Sequence, residues 1–369
     1  MPSAARVSGK SRICLIYTGG TIGMIRDEKN ELRPPDDPED FLRVAPELEE
    51  IVSYEFVPLL NKDSTNVIPS DWTKIARAVY DRRDDGYDGF VVVHGTDTMH
   101  FSASAVAFAL GPGLPVPVVF TGAQTIPEVP HGDARVNLLR ACKVASTELA
   151  EVAIAFGDFV FRGARAQKKN EAQFDAFESP AFFPLALITE EIILAGEAMT
   201  KDEKLASQAP YELRDHFASG VLQVSLIPGL EPSLVMPALE QEACKGLILQ
   251  SFGAGNVPNA RHYSFRQLIR AAVERNKPVI VTSQFPANAT LHTAYRPGRD
   301  AVRAGAISTG NMTASCAVAK FRWALAMVER EKVEAGARID RVREIMNRTI
   351  IGEMDEEDST NTSRRGGTS

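Results

Sequence analysis

Short unbroken apolar runs alternate with amphipathic stretches along most of this chain. The runs "RICLIY", "EFVPLL", "GFVVVHG", "PVPVVFTG" and "EVAIAFG" each have the length of a β-strand. Between them, "SDWTKIARAVYDRR" and "DARVNLLRACKVASTEL" carry apolar residues at helical spacing, with Ser70 and Asp133 placed as N-caps. Continuous apolar strands separated by helices predict a mostly parallel sheet covered on both faces, the α/β class. The pattern fades over residues 196–220, which are polar and lack strong periodicity. It resumes with "VLQVSLIPG", "GLILQSFGAGN", a helix from about Ser264 to Arg275, "PVIVTSQ", and two further helices ending near Met346. This predicts an N-terminal domain over 11–195, a linker over 196–220 and a C-terminal domain over 221–350. The tail 351–369 is charged and then small and polar, the composition of a disordered segment.

Composition narrows the class. The 369 residues are 44% hydrophobic and 24% charged, an ordinary globular balance with room for two domains. The net charge is −7, and the one basic cluster, "RGARAQKKN", is short, so no nucleic-acid face is expected. The first residues, "MPSAARVSGKSR", lack the apolar core of a secretory signal. No apolar run approaches the roughly 18 residues of a membrane span. Cys14, Cys142, Cys244 and Cys316 lie far apart with no CxxC pair, which reads as reduced thiols in a cytoplasmic protein.

The candidate chemistry collects at strand exits, where ligands bind in open α/β sheets. Those exits read "TGGT", "NKDSTN", "HGTDT" and "TGAQ", all small and hydroxyl-rich. Turn preference accounts for any one of them; four in succession point to one crevice into which the Thr21 and Thr96 hydroxyls project. Asp97 reads either as a first-turn carboxylate favoured by a helix dipole or as a proton acceptor that grips a cationic group. Lys168 and Lys169 read as a surface pair, or one of them as a base beside a threonine hydroxyl. Other motifs fail on spacing. "SGKS" has no glycine where a phosphate loop needs it and no preceding strand, "GGTIG" is not GxGxxG, and neither GxSxG nor HExxH occurs. The histidine spacing fits no helical metal face, so no metal is expected.

"YTGGTIGM", followed by "DGFVVVHGTDTMHFSASAVAFAL", resembles the asparaginase/glutaminase family, most like its cytosolic type I bacterial L-asparaginases. "DSTN", "FTGAQ", "RGARAQKKNEAQFDAFESP" and "SFGAGNVPN" fall in the family's order, so the resemblance covers most of the chain. It implies a larger N-terminal α/β domain carrying the site and a smaller, Rossmann-like C-terminal α/β domain, with no metal or organic cofactor. It assigns Thr21 as nucleophile on a side-chain amide, with Thr96, Lys168 and Asp97 moving protons. Ser64 and Thr65 would bind the substrate's α-carboxylate, and Asp97, beside Thr96, would face its α-amino group. Lys168 rather than Lys169 is chosen because it keeps the family's distance from "FDAF". The implied substrate is L-asparagine, with lesser action on glutamine, in a dimer or tetramer that needs no nucleic acid or membrane. The alternative is an asparaginase-like protein that binds or senses an amino acid without turning it over. Three departures stand out. The loop "IRDEKNELRPPDDPED" lacks the tyrosine that family members carry there, leaving Tyr263 and Tyr295 as candidates to replace it. No glutamate stands near Ser315, and Phe285 stands where some relatives have a cysteine.

Overall fold

The computed structural model describes residues 9–355, apart from Asp27, Pro34, 38–40, Val44 and 286–295. The chain forms two compact units. The first runs to Leu213, except that 104–112 and 179–183 group with the second, which continues from Arg214.

Among the described residues, the first unit is built on an eight-stranded sheet. Its strands are β1 (Arg12–Gly19), β2 (Ser53–Lys62), β3 (Gly89–Val93), β4 (Val118–Thr121), β5 (Val152–Phe156), β6 (Phe159–Arg162), β7 (Ala186–Ile188) and β8 (Ile192–Leu194). They lie in the order β8-β7-β6-β5-β4-β3-β1-β2. β1 to β5 pair in parallel, with Leu15 opposite Phe56 on one side and Val91 on the other. β3, β4 and β5 are buried along their whole length, as a sheet covered on both faces requires. The remaining strands, β6 to β8, add in antiparallel fashion, which the apolar pattern does not predict. The reason is local: only Gly157 and Asp158 separate β5 from β6, and a two-residue turn makes a hairpin, never a parallel crossover.

Helices α1 (Pro69–Tyr80), α2 (Met99–Leu110) and α3 (Ala134–Ala145) belong to the crossovers. Ser70 is not the cap of α1. The helix starts at Pro69, whose missing N–H suits the first turn, and the Asp71 carboxylate accepts the Ile68 N–H at 3.1 Å. Asp71 is fully buried and also takes Lys62 Nζ at 2.8 Å. Asp133 does flank α3, but its carboxylate turns away from the helix to the Gln124 and Thr125 amides.

The strand order reverses at β1, which sits between β2 and β3, so a crevice opens at the carboxyl ends of these strands. The two glycines that end β1 are required by crowding there. A Cβ on Gly19 (φ +108°) would lie 2.2 Å from the Lys62 carbonyl oxygen, and one on Gly20 (φ +95°) would lie 2.4 Å from the Gly95 nitrogen. The Gly20 N–H uses that closeness, donating to the Lys62 carbonyl at 3.1 Å.

The division between the two units, after Leu213, falls within the segment 196–220 read as the linker, and that segment carries structure of its own. Thr200 and Glu203 cap a short helix, Lys201–Ser207, and the Met199 N–H donates to the Glu151 carboxylate at 2.8 Å. Polarity without periodicity here reflects capping residues and a surface helix.

Among the described residues, the second unit holds four parallel strands, β9 (Val221–Ser225), β10 (Gly246–Ser251), β11 (Val279–Ser283) and β12 (Ile307–Ser308), in sequential order. Helices α4 (Arg266–Glu274), α5 (Ala314–Arg330) and α6 (Arg338–Asn347) follow the predicted pattern, and Arg296–Arg303 adds one not predicted. Phe265, Leu268 and Ile269 of the α4 region pack with Leu247, Leu249, Val279 and Val281.

The disordered tail expected from residue 351 starts too early. Glu353 and Met354 are buried, and Lys320 Nζ meets Glu353 Oε1 at 2.5 Å with both side chains fully enclosed. Lys320 also donates to the Arg348 carbonyl at 2.6 Å, and Glu353 accepts the Ile351 N–H at 2.9 Å. Burial pushes the Glu353 carboxyl up, but the Lys320 ammonium and these N–H donors outweigh it and hold it below its ordinary value. Residues 356–369 lie outside the described part.

These buried groups make stability sensitive to mutation and to pH. Glu353→Ala strands an ammonium in the interior and should lower unfolding stability by about 3–5 kcal/mol, read as a shift in the urea midpoint. Lys320→Met combined with Glu353→Leu should recover most of that loss. Burial also pushes His94 and His100 down to about 4, so both stay neutral in the folded chain. The unfolded chain takes up those protons from about pH 6.5 downward. Stability should therefore fall as pH drops from 6.5 towards 4, by about 1 kcal/mol per pH unit for each histidine. His94→Gln should make that decline shallower in urea melts at pH 5 and pH 7.

Candidate active site

Each turn beyond β1 to β4 contributes to one cavity of about 160 Å³. Gly20 and Thr21 come from the first, Asp63 and Ser64 from the second, Gly95, Thr96 and Asp97 from the third, and Gln124 from the fourth. Lys168 enters from a two-residue strand, Gln167–Lys168, held opposite Phe177–Glu178, and Met24 and Glu171 complete the lining. The turns are tied to one another beneath the cavity. Thr18 Oγ1 donates to the Val93 carbonyl at 2.7 Å, and Thr98 Oγ1 to the Ser64 carbonyl at 2.8 Å. Asp133 holds the fourth turn through the Gln124 N–H and the Thr125 hydroxyl, both at 2.9 Å.

The polar groups form a chain. Lys168 Nζ donates to Thr96 Oγ1 at 2.8 Å and to Asp97 Oδ1 at 2.7 Å. The Lys168 side chain is 12% exposed and that of Asp97 55%, so the ammonium sits inside while its carboxylate partner faces the opening. Thr96, nearly buried, donates in turn to Gln124 Oε1 at 3.0 Å. This arrangement supplies a hydroxyl, an amine and a carboxylate in contact, the requirement for relayed proton transfer.

Of the residues singled out from sequence, Thr21, Ser64, Thr96, Asp97 and Lys168 all line this cavity. Thr65 does not: it is exposed, and its N–H and hydroxyl both donate to Asp63 Oδ1 at 2.8 Å. Asp63 takes the place at the wall. Lys169 is turned aside, paired with Asp175 at 2.6 Å. Asp63, Gln124 and Glu171 are site residues that the sequence reading does not single out. The first two lie within the strand exits "NKDSTN" and "TGAQ", and an aspartate two residues before a threonine is an Asx-turn signal that marks Asp63. Among the described residues no tyrosine lines the cavity. Tyr17 is buried beneath the turn, its hydroxyl pushed up to about 12 by burial. Tyr263 belongs to the second unit, and Tyr295 lies outside the described residues.

Among the described residues no group of three or more His, Cys, Asp or Glu side chains stands close enough to hold a metal ion. No described helix is long and apolar enough to cross a membrane. Cys14, Cys142, Cys244 and Cys316 are buried, and none forms a disulfide among the described residues.

Comparison with known proteins agrees with this geometry. Residues 12–200 match the family model described as Asparaginase, N-terminal, and residues 220–335 match the Glutaminase/Asparaginase C-terminal domain. The L-asparaginase of Thermococcus kodakarensis is 31% identical over 346 residues, covering 93% of this chain and 99% of that protein. Its solved structure superposes with a TM-score of 0.82 at 30% identity, over 93% of this chain and 99% of that one. L-asparaginase I from Vibrio cholerae gives 0.80 at 28% identity, over 94% and 100%. The D subunit of the glutamyl-tRNA(Gln) amidotransferase of Aeropyrum pernix is 34% identical over 358 residues, 94% of this chain and 80% of that protein. The fold, the five residues that meet in one cavity and the match along both domains place this chain in the asparaginase/glutaminase family of amide-hydrolysing enzymes.

Proposed function

We propose that this protein hydrolyses the side-chain amide of free L-asparagine to L-aspartate and ammonia, with Thr21 as nucleophile. What carries the reading is the convergence of Thr21, Thr96, Lys168 and Asp97 on one small polar cavity. A cavity of about 160 Å³ suits an amino acid, and its walls suit a zwitterion. Asp97 and Asp63 are complements for an α-ammonium, and the Ser64 hydroxyl is a donor for an α-carboxylate.

A threonine hydroxyl is a poor nucleophile near neutral pH and must lose its proton as it attacks. Thr21 Oγ1 bonds to the amide carbon while its proton passes into the hydroxyl–amine chain, and the amide nitrogen takes a proton as the C–N bond breaks. Ammonia leaves, and water then cleaves the threonyl ester with Thr96 and Lys168 relaying the proton. Backbone N–H groups of the Thr21 and Thr96 turns are the suppliers of donors to the oxyanion, each such donor being worth roughly 3–4 kcal/mol. The enzyme works as a dimer or tetramer in the cytoplasm, as the family resemblance implies.

A second reading is favoured by one comparison. Identity to the amidotransferase D subunit of Methanothermobacter thermautotrophicus, 31%, equals that to the L-asparaginase. Glutamine deamidation serving a tRNA-linked acceptor is therefore the competing activity.

Ammonia release separates these. The purified protein should release ammonia from free asparagine faster than from glutamine, and addition of glutamyl-tRNA should leave the rate unchanged. Glutamine turnover that depends on that tRNA would sink the asparaginase reading. Thr21→Ala should lower kcat by about 10³-fold or more, and Lys168→Met by about 10²–10⁴-fold. Asp63→Ala should raise KM at least about tenfold, whereas Thr65→Val should change KM much less, because only the former removes a wall of the cavity.

A further inference from the structure

Gln124 ties the cavity wall to a second segment of the chain. Its side-chain nitrogen donates to the Asn170 carbonyl at 3.0 Å and to the Gln173 carbonyl at 3.4 Å. Two backbone carbonyls on one side fix the orientation of the amide, because only nitrogen can face them. The oxygen is therefore turned to Thr96, whose hydroxyl donates to it at 3.0 Å. On the main-chain side, the Gln124 N–H is held by the buried Asp133 carboxylate at 2.9 Å, and Asp133 also takes Asn137 Nδ2 at 3.1 Å. Gln124 thus joins a rigid strand end to the segment that follows Lys168.

We propose that Gln124 is a positioning residue that sets the Thr96 proton and the Lys168 segment as a single unit. This rests on the amidohydrolase reading for its kinetic consequence, but not for its structural one. In the resting arrangement Thr96 gives its proton to Gln124 and receives one from Lys168 at 2.8 Å. Passing the Thr96 proton to the amine requires the hydroxyl to rotate away from Gln124 and the amine to have shed a proton. Gln124 holds that rotation in check until the site is filled. Through Asn170 and Gln173 it also fixes the turn between Lys168 and Glu171, so the lysine approaches Thr96 at one distance only. Misplacement of a catalytic group by about 1 Å costs on the order of 10²-fold in rate.

The test compares Gln124→Leu and Gln124→Glu with the wild type. Gln124→Leu keeps the size and removes every side-chain hydrogen bond. Amide hydrogen exchange across residues 168–176 should quicken in it, while peptides of the second unit stay unchanged. Its kcat should fall about 10- to 100-fold with KM altered less than about threefold. Gln124→Glu keeps an acceptor for Thr96 but, when ionised, has no donor for the Asn170 carbonyl; protonated, it regains one. The ratio of its kcat to that of the wild type should therefore rise as pH falls through the carboxyl range, an ionisation absent from a residue that merely fills space. Exchange across 168–176 that is unchanged in both variants, or a flat ratio, overturns the proposal. Should Gln124→Leu fail to fold, Gln124→Glu above its carboxyl range carries the same exchange measurement. Should the wild type release no ammonia from any amide, the functional reading falls, and the exchange measurement alone decides whether Gln124 holds the segment.

Discussion

The site depends on a steric coincidence in which three strand ends meet at a distance only glycine tolerates. The exit of β1 passes within contact of the Lys62 carbonyl on one side and the Gly95 nitrogen on the other, with no room for a β-carbon at Gly19 or Gly20. That crowding places Thr21, Ser64 and Thr96 around one cavity although they are separated by dozens of residues in sequence. The strand-order reversal at β1 makes the crevice, and the glycines let the backbone close around it.

Around that frame, polar groups are arranged so that charges are shared. Lys168 is balanced by Asp97 and oriented by Thr96, which is in turn anchored by Gln124. The second unit uses the same logic without any opening. Lys320 and Glu353 are sealed together, and their further bonds go to nearby backbone and to Thr349. A buried ion pair of this kind adds little net stability over apolar packing, yet losing one half is costly. Its effect is to commit the end of α6 and the residues after it to one position.

Sequence patterning carries the parallel core because buried strands and amphipathic helices leave periodic signatures. It misses β6, where the signal is a two-residue turn at Gly157 and Asp158 rather than a period, and β7 and β8, which at three residues each are too short to show one. It places a cap at Ser70 and shows no helix within 196–220 because polar side chains do not declare their partners. Asp71 caps α1 only once Pro69 fixes the start, and Met199 is tied down by Glu151, far away in sequence. Glu353 reads as part of a tail since nothing in "GEMDEED" announces a lysine waiting in α5. At the site, the hydroxyls and the lysine are legible as motifs. Gln124 is not, because its role is set by what it touches, Thr96 and the Asn170 carbonyl, and Asp63 is marked only as the start of an Asx turn with Thr65.

The sign of the charge around the cavity has a consequence for the end of the reaction. Asp63, Asp97 and Glu171 line it, against the ammonium of Lys168. Under the proposed reading, the substrate is a neutral zwitterion that such a basin admits without net repulsion, whereas the product would carry an extra carboxylate facing walls of its own sign. On that reading Coulomb repulsion would make the spent molecule the weaker ligand, and the same charges that receive the substrate would help to clear the basin.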